Sequence, residues 1–204
     1  DVDLELIVID DHSSDDGRAV VEAFIDRHRD LPTLLLGRDD NHGLAEARNL
    51  GVERSRADKV MILDADNLLY PLCLRRLADA LDADPSAAFA YATLEAFGVA
   101  PGLRSHLAWH PPWLCASNYI DAQAMVRTAT FHRHGGYRTD DDFVYGWEDW
   151  DFWLRLAAAG EHGVHLPEML GRYRTQEQSM ISITNLAADM MRQHIEQRYP
   201  DLPW

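Results

Sequence analysis

Apolar residues fall into short runs separated by stretches with helical spacing. Leu4 to Ile9 has the length of a buried strand, and it stops on DDHSSDDG, an acidic and small cluster that reads as a loop. Beyond that loop Val20, Val21, Phe24, Ile25 and His28 share one helical face, with Asp15 and Asp16 as capping residues before it. Leu34 to Leu36 makes a second run, NHGLAEARNLGVERS has helix composition, and Val60 to Leu63 makes a third run that closes on DADN. The predicted order is strand, helix, strand, helix, strand. Such alternation favours an α/β chain with a mostly parallel sheet and helices on its faces.

The second half is less regular. Leu72 to Leu81 reads as a helix and Ala87 to Ala92 as a strand. Residues 98 to 118 form a long irregular stretch holding Pro101, Pro111 and Pro112, a length that marks a functional loop. Residues 119 to 134 and 149 to 159 read as helices, Val164 to Leu166 as a strand, and Leu186 to Gln197 as an amphipathic terminal helix rich in Met.

Composition narrows the classes. The chain has 204 residues, 47% of them apolar and 26% charged, which is the balance of a folded globular domain. With 19 basic against 34 acidic residues the formal charge is −15, and such a field argues against nucleic acid or anionic lipid as partner. No apolar run approaches the roughly 18 to 20 residues of a membrane-spanning helix. Cys73 and Cys115 are too few for a disulfide framework and too far apart for a CxxC metal site. A reducing, cytoplasmic setting is expected, with membrane association only through parts of the protein outside this chain.

Candidate chemistry collects at strand ends, where ligands of α/β sheets bind. Asp64-Ala65-Asp66 is one of several DxD matches, with Asp1/Asp3, Asp82/Asp84, Asp140/Asp142 and Asp149/Asp151. Only this one directly follows a buried-looking strand, VMIL. Two carboxylates there repel each other without a cation, and a hard divalent ion such as Mg²⁺ or Mn²⁺ suits them; a capped turn with solvated aspartates is the competing reading. Asp10-Asp11 has the same placement and is either a base- or ribose-binding pair or an Asx turn. Arg48 is a candidate phosphate partner or a solvated surface residue. Glu148 and Asp149 open the segment GWEDWDFWLRL, where acids are also ordinary helix-start residues. Trp147 and Trp150 are sugar-stacking candidates or core. No HExxH, GxSxG or P-loop pattern occurs. A phosphatase with an aspartate nucleophile fits poorly, since Lys59 is the sole lysine and it precedes Asp64.

In combination LIVIDDHSSDDG, NHGLAEARNLG, VMILDADNLLYP, GGYR, GWEDWDFWLRLAAAG and YRTQEQSM resemble, in that order, the GT-A-fold glycosyltransferases of family two. The resemblance runs from about residue 4 to about residue 180. It implies an inverting transferase that moves a sugar from a nucleotide-sugar donor to a hydroxyl acceptor, saccharide or lipid-linked. Asp11 would contact the nucleobase, Arg48 would lie near the nucleotide, and Asp64 and Asp66 would form the metal and ribose region, with Mn²⁺ or Mg²⁺ on Asp66. Asp149 would be the base, with Glu148 as fallback or acceptor-orienting partner. The implied division is a nucleotide-sugar part over 1–97, an acceptor and catalytic part over 98–182, and a terminal helix over 183–204. The loop from Gly98 to Asn118 would meet the acceptor, with Trp109 and Trp113 as platforms or lid packing.

Two departures stand out. Gln176 occupies the place where the family often has a histidine near the metal. The family also begins with a strand and helix, a unit of roughly 30 residues, that this chain lacks, so the expectation is a truncated sheet. The alternative to an enzyme is a glycosyltransferase-like part of a larger chain that binds a nucleotide sugar or a protein without turnover.

Overall fold

The structure, a computed structural model, describes residues 2–140, 146–177 and 188–204. The first strand, β1 (Leu6–Asp10), is followed by α1 (Gly17–Arg27), β2 (Thr33–Gly37), α2 (Leu44–Arg54) and β3 (Lys59–Met61), the alternation read from the sequence. Then come β4 (Leu68–Leu69), α3 (Cys73–Ala83), β5 (Phe89–Gly98), β6 (Gly102–Arg104), α4 (Pro111–Ala116), β7 (Met125–Arg127) and α5 (Thr128–Arg133). The last elements are α6 (Glu148–Ala158), β8 (Gly163–Thr175) and α7 (Ala188–Arg198).

β1 and β2 pair in parallel as a two-stranded sheet, Leu6 opposite Thr33 and Asp10 opposite Gly37. The larger sheet has the order β3-β7-β5-β8-β4, with β6 on β5. Its longest ladder, β5 with β8, is parallel from Phe89 opposite Gly163 to Gly98 opposite Thr175, while the short β3–β7, β5–β7, β5–β6 and β4–β8 ladders are antiparallel. Parallel pairing therefore dominates by length, as expected. Among the described residues no ladder joins β1 to β3, so the two sheets stand apart.

β5 is the structural axis because its two faces are dressed for different neighbours, as period-two alternation dictates. Phe89 and Tyr91 join one buried cluster with Trp150, Phe152, Trp153 and Leu156 of α6. Ala90 and Ala92 join the other, where Cys73, Leu77 and Leu81 of α3 pack against the small alanine side chains. The spacing of Leu77 and Leu81 puts both on one helical face, and each is fully buried.

Residues 119–134 depart from the helix read in the sequence. Residues 119–124 carry no helix, Met125–Arg127 form β7, and only Thr128–Arg133 is helical. An apolar stretch that inserts between β3 and β5 is buried on both faces, and it carries no period that separates strand from helix. The 98–118 stretch holds β6 and the one-and-a-half-turn α4, with Pro111 at a helix start that tolerates it.

α6 is anchored from inside. Asp151, fully buried, accepts hydrogen bonds from Arg155 at 2.7 Å and from the Tyr199 hydroxyl at 2.7 Å, and lies 3.3 Å from Arg198. These contacts bind α6 to α7 and the residue after it. Replacing Asp151 with Ala leaves the arginines without their carboxylate and should lower stability by about 3–5 kcal/mol. Urea unfolding of the Asp151→Ala protein would show it as a fall in midpoint at unchanged slope.

Candidate active site

Three chain segments meet at one buried guanidinium. Arg48 shares the inward face of α2 with Val52, one helical turn on, and both are buried. Its Nη2 donates to Asp64 Oδ1 at 2.7 Å and its Nη1 to Glu148 Oε1 at 2.6 Å. Burial works against its charge, but Asp64, Tyr137 and Glu148 outweigh that effect and hold the pKa above the ordinary arginine value. The surface reading of Arg48 is thereby overturned.

Asp64 and Asp66 sit in a turn after β3, closed by the Asn67 N–H donating to the Asp64 carbonyl at 3.0 Å. Asn67 is buried and accepts a 2.9 Å bond from the Arg174 N–H, which ties the turn to the end of β8. Arg174 Nε also donates to the Asp66 carbonyl at 3.2 Å, and Gln176 Nε2 donates to Asp66 Oδ2 at 2.8 Å. So the DxD turn, Arg174 and Gln176 form one group. The remaining YRTQEQSM residues, 178–180, lie outside the described residues.

Glu148 and Asp149 open α6, where the helix dipole favours negative charge. Glu148 is buried and its pKa is raised, by burial first and against the pull of Arg48. The Asp149 Oδ1 accepts the Trp150 N–H at 2.7 Å. Burial, then Glu148 and then Asp121, push the Asp149 pKa up from its ordinary 3.8 to about 8. Asp149 lines a cleft of about 550 Å³, together with Asp121, Trp147, Tyr119, Arg104 and Tyr173.

The aromatic alternatives resolve unevenly. Trp150 and Trp153 are core residues whose indole N–H groups donate to the Leu114 and Ile120 carbonyls at 2.8 and 3.0 Å, pinning the 105–121 segment to α6. Trp147 is half-buried on the cleft wall. Trp109 packs edge-on against Phe89, so it belongs to the lid packing, whereas Trp113 is 49% exposed beside the cleft.

Asp11 lies at the other end of the chain's use of acids. Its carboxylate accepts the backbone N–H groups of His42 at 3.1 Å and Gly43 at 2.7 Å, ahead of α2, and lies 3.5 Å from Arg38 Nε. Asp10 accepts the Ser13 N–H, three residues on, at 2.9 Å, in the loop ahead of α1. Asp11 shapes the approach to α2. A further support is Asn49, whose side chain bonds the Tyr137 backbone in both directions, at 2.7 and 2.8 Å. That clamp needs Gly136 at φ +66, since a Cβ there would come within 2.7 Å of Asn49 Oδ1.

Sequence reasoning missed Asp121 and Tyr173 as cleft residues. Asp121 carries a pKa raised to about 6, by burial first, opposed by the Gln123 N–H and raised again by Asp64. Its position after a loop and before a two-faced strand leaves no periodic signal; Tyr173 lies in the YRTQEQSM motif, beyond the strand read over Val164 to Leu166.

The donor set was tested for a divalent ion on the chemistry of its atoms. Among the described residues no three His, Cys, Asp or Glu side chains gather to hold one. Asp64 and Asp66 are nevertheless hard oxygen donors, and a Mg²⁺ or Mn²⁺ ion takes its other ligands from phosphate and water, while Gln176 turns its amide N–H to Asp66. The residues fit such an ion.

A strand-end DxD turn and a carboxylate at a helix start thus meet at Arg48 on this α/β frame. The chain belongs to glycosyl transferase family 2, whose pattern residues 1–142 match. It is 26% identical over 163 residues to YwdF of Bacillus subtilis, an uncharacterized glycosyltransferase, covering 75% of this chain and 57% of that protein. The fold is GT-A. S. aureus TarS in complex with UDP-GlcNAc superposes with a TM-score of 0.71 at 16% identity, over 87% of this chain and 51% of that one. The mannosyltransferase PcManGT of Pyrobaculum calidifontis, in complex with GDP-Man and Mn²⁺, gives 0.66 at 20% identity, over 88% and 50%. The chain thus spans little more than half the length of these relatives. No helix among the described residues is long and apolar enough to cross a membrane.

Removing the cation at the centre should be more damaging than removing either acid. Arg48→Met leaves Asp64 and Glu148 facing each other and should cost about 3–5 kcal/mol in thermal or urea unfolding. Arg48→Lys, which reaches one partner at a time, should cost less. In Arg48→Met/Glu148→Gln the loss should fall short of the sum of the two single losses by about 1 kcal/mol or more.

Proposed function

We propose that the protein transfers a sugar from a nucleotide-sugar donor to a hydroxyl acceptor with inversion, using Asp149 as the base. The observation that carries this reading is that Arg48 joins the Asp64 turn to Glu148, the residue next to Asp149, while Asp149 lines an open cleft. Single-step inversion needs a carboxylate on the acceptor side and charge stabilisation on the leaving-group side. The relatives' ligands, UDP-GlcNAc and GDP-Man, support a nucleotide-sugar donor.

Asp149 takes the proton from the acceptor hydroxyl. One of its oxygens is tied to the Trp150 N–H, which fixes the direction of the other. A carboxylate whose pKa stands near 8 is a far stronger base than an exposed aspartate. Glu148 orients Arg48 and, through its charge, sustains that basicity. On the donor side Asp66, with Asp64, would hold Mn²⁺ or Mg²⁺, which when bound would neutralise the departing diphosphate. Arg174, exposed and stacked over Phe97 at 4.6 Å, stands beside the turn as a cation for the same phosphates.

The reading is tested by nucleotide release from UDP-GlcNAc and GDP-mannose with Mn²⁺. Asp149→Asn should lower transfer by about 10³-fold or more while donor affinity persists, and Asp66→Asn should weaken donor and metal binding together. Transfer surviving in Asp149→Asn/Asp66→Asn would refute the reading. The acceptor kcat/KM should rise with pH through about 8, as Asp149 loses its proton. Stability should run the other way. Between the ordinary 3.8 and about 8 the folded chain holds a proton that the unfolded chain has lost, so stability falls as pH rises. Asp149→Asn should therefore raise Tm above pH 8, by about 2–4 °C for each kcal/mol recovered.

A further inference from the structure

The cleft holds a second carboxylate that the reaction above does not use. Asp121 lines the same cavity as Asp149 but arrives from a different segment, the turn ahead of β7. Its placement is fixed on three sides. Its backbone N–H donates to Ser105 Oγ at 2.9 Å, and its Oδ1 accepts the Gln123 N–H at 2.9 Å. Ser105 is buried at φ +50, a left-handed conformation that only a determined surrounding sustains in a non-glycine residue. The carbonyl of the preceding residue, Ile120, is held by the Trp153 indole of α6, so Asp121 and Asp149 are braced against the same helix.

Neither carboxylate makes an ion pair among the described residues. Each has one oxygen bound to a backbone N–H of its own segment, which leaves the other for whatever fills the cavity. The facing walls are the aromatic rings of Trp147 and Tyr173. Such a cavity suits a ring-shaped polyol: aromatic faces cover its C–H surface, and carboxylate oxygens accept from its hydroxyls.

We propose that Asp121 binds the acceptor through the hydroxyl next to the one that attacks. The acceptor is then a sugar or polyol with two neighbouring free hydroxyls, one on Asp149 and one on Asp121. This inference rests on the transferase reading, and it gives that reading a substrate class.

The test uses the protein with UDP-GlcNAc or GDP-mannose and Mn²⁺, methyl glucoside, methyl galactoside and methyl mannoside as acceptors, and their monodeoxy analogues. Asp121→Asn and Asp121→Ala should raise the acceptor KM about tenfold or more. The deoxy analogue lacking the neighbouring hydroxyl should lose about tenfold or more on the wild type and almost nothing further on Asp121→Ala. An unchanged acceptor KM, or a loss confined to kcat, overturns the inference. Saturation-transfer NMR of the same glycosides supplies a readout independent of turnover: saturation on the wild type that disappears on Asp121→Ala supports the site, and equal or absent saturation on the wild type refutes it. Glycoside binding that depends on Asp121, with no nucleotide release from either donor, would leave the site standing and overturn the transferase reading alone.

Discussion

The pairing of Arg48 with both Asp64 and Glu148 is the contact on which the site depends. A guanidinium this deeply buried is sustained only if its desolvation is offset, and two carboxylates at 2.6 and 2.7 Å offset it. The pairing joins three parts of the chain that share no hydrogen-bonded ladder: α2, the turn after β3, and the start of α6. It also divides the acids into two kinds. Asp64 and Glu148 are neutralised by Arg48, while Asp149 and Asp121 are left without a cation of their own. Burial comes first in keeping Asp149 basic; Arg48 is already paired with two carboxylates, and Glu148 acts on Asp149 as a neighbouring negative group.

The support for this arrangement comes from α6 and β5. Trp150, Phe152, Trp153, Leu154 and Leu156 bury most of α6 in the core, leaving its first turn at the cleft. Trp150 and Trp153 then use their indole N–H groups to hold the carbonyls of Leu114 and Ile120, so the loop walls are braced against α6. From below, Asp151 ties the helix to Arg155, Arg198 and Tyr199. A base held by a buried helix keeps its direction better than one on a free loop, since rigid elements set side-chain positions more closely.

The alternation of the first 63 residues was legible because each apolar run stops at a cluster of small and acidic residues, which fixes both strand and loop. The first turn of α6 was legible for the same reason. Residues 119–134 were not: Ala122, Ala124, Met125 and Val126 are buried in β7 and its approach, and residues buried on every side carry no amphipathic period. β8 was seen only in part, from Val164 to Leu166, although it runs to Thr175. Its later residues alternate with charged side chains, Arg172 and Arg174, whose guanidinium groups lie over Phe97, and a strand carrying such charges reads as loop.

The candidate site was legible in its residue types and not in its charges. Asp64, Asp66, Glu148 and Asp149 stand out as acids at strand and helix ends, yet every acid at such a place is also an ordinary cap. What separates Asp149 from a cap is its company: Glu148 beside it, Asp121 from 28 positions earlier in the chain, and an Arg48 already committed elsewhere. Asp11 makes the converse case. It has the same strand-end placement, but backbone N–H groups of His42 and Gly43 satisfy its carboxylate, and it holds the entrance to α2. Two acids with one local signature thus differ in their surroundings, because the groups that meet each of them arrive from distant parts of the chain.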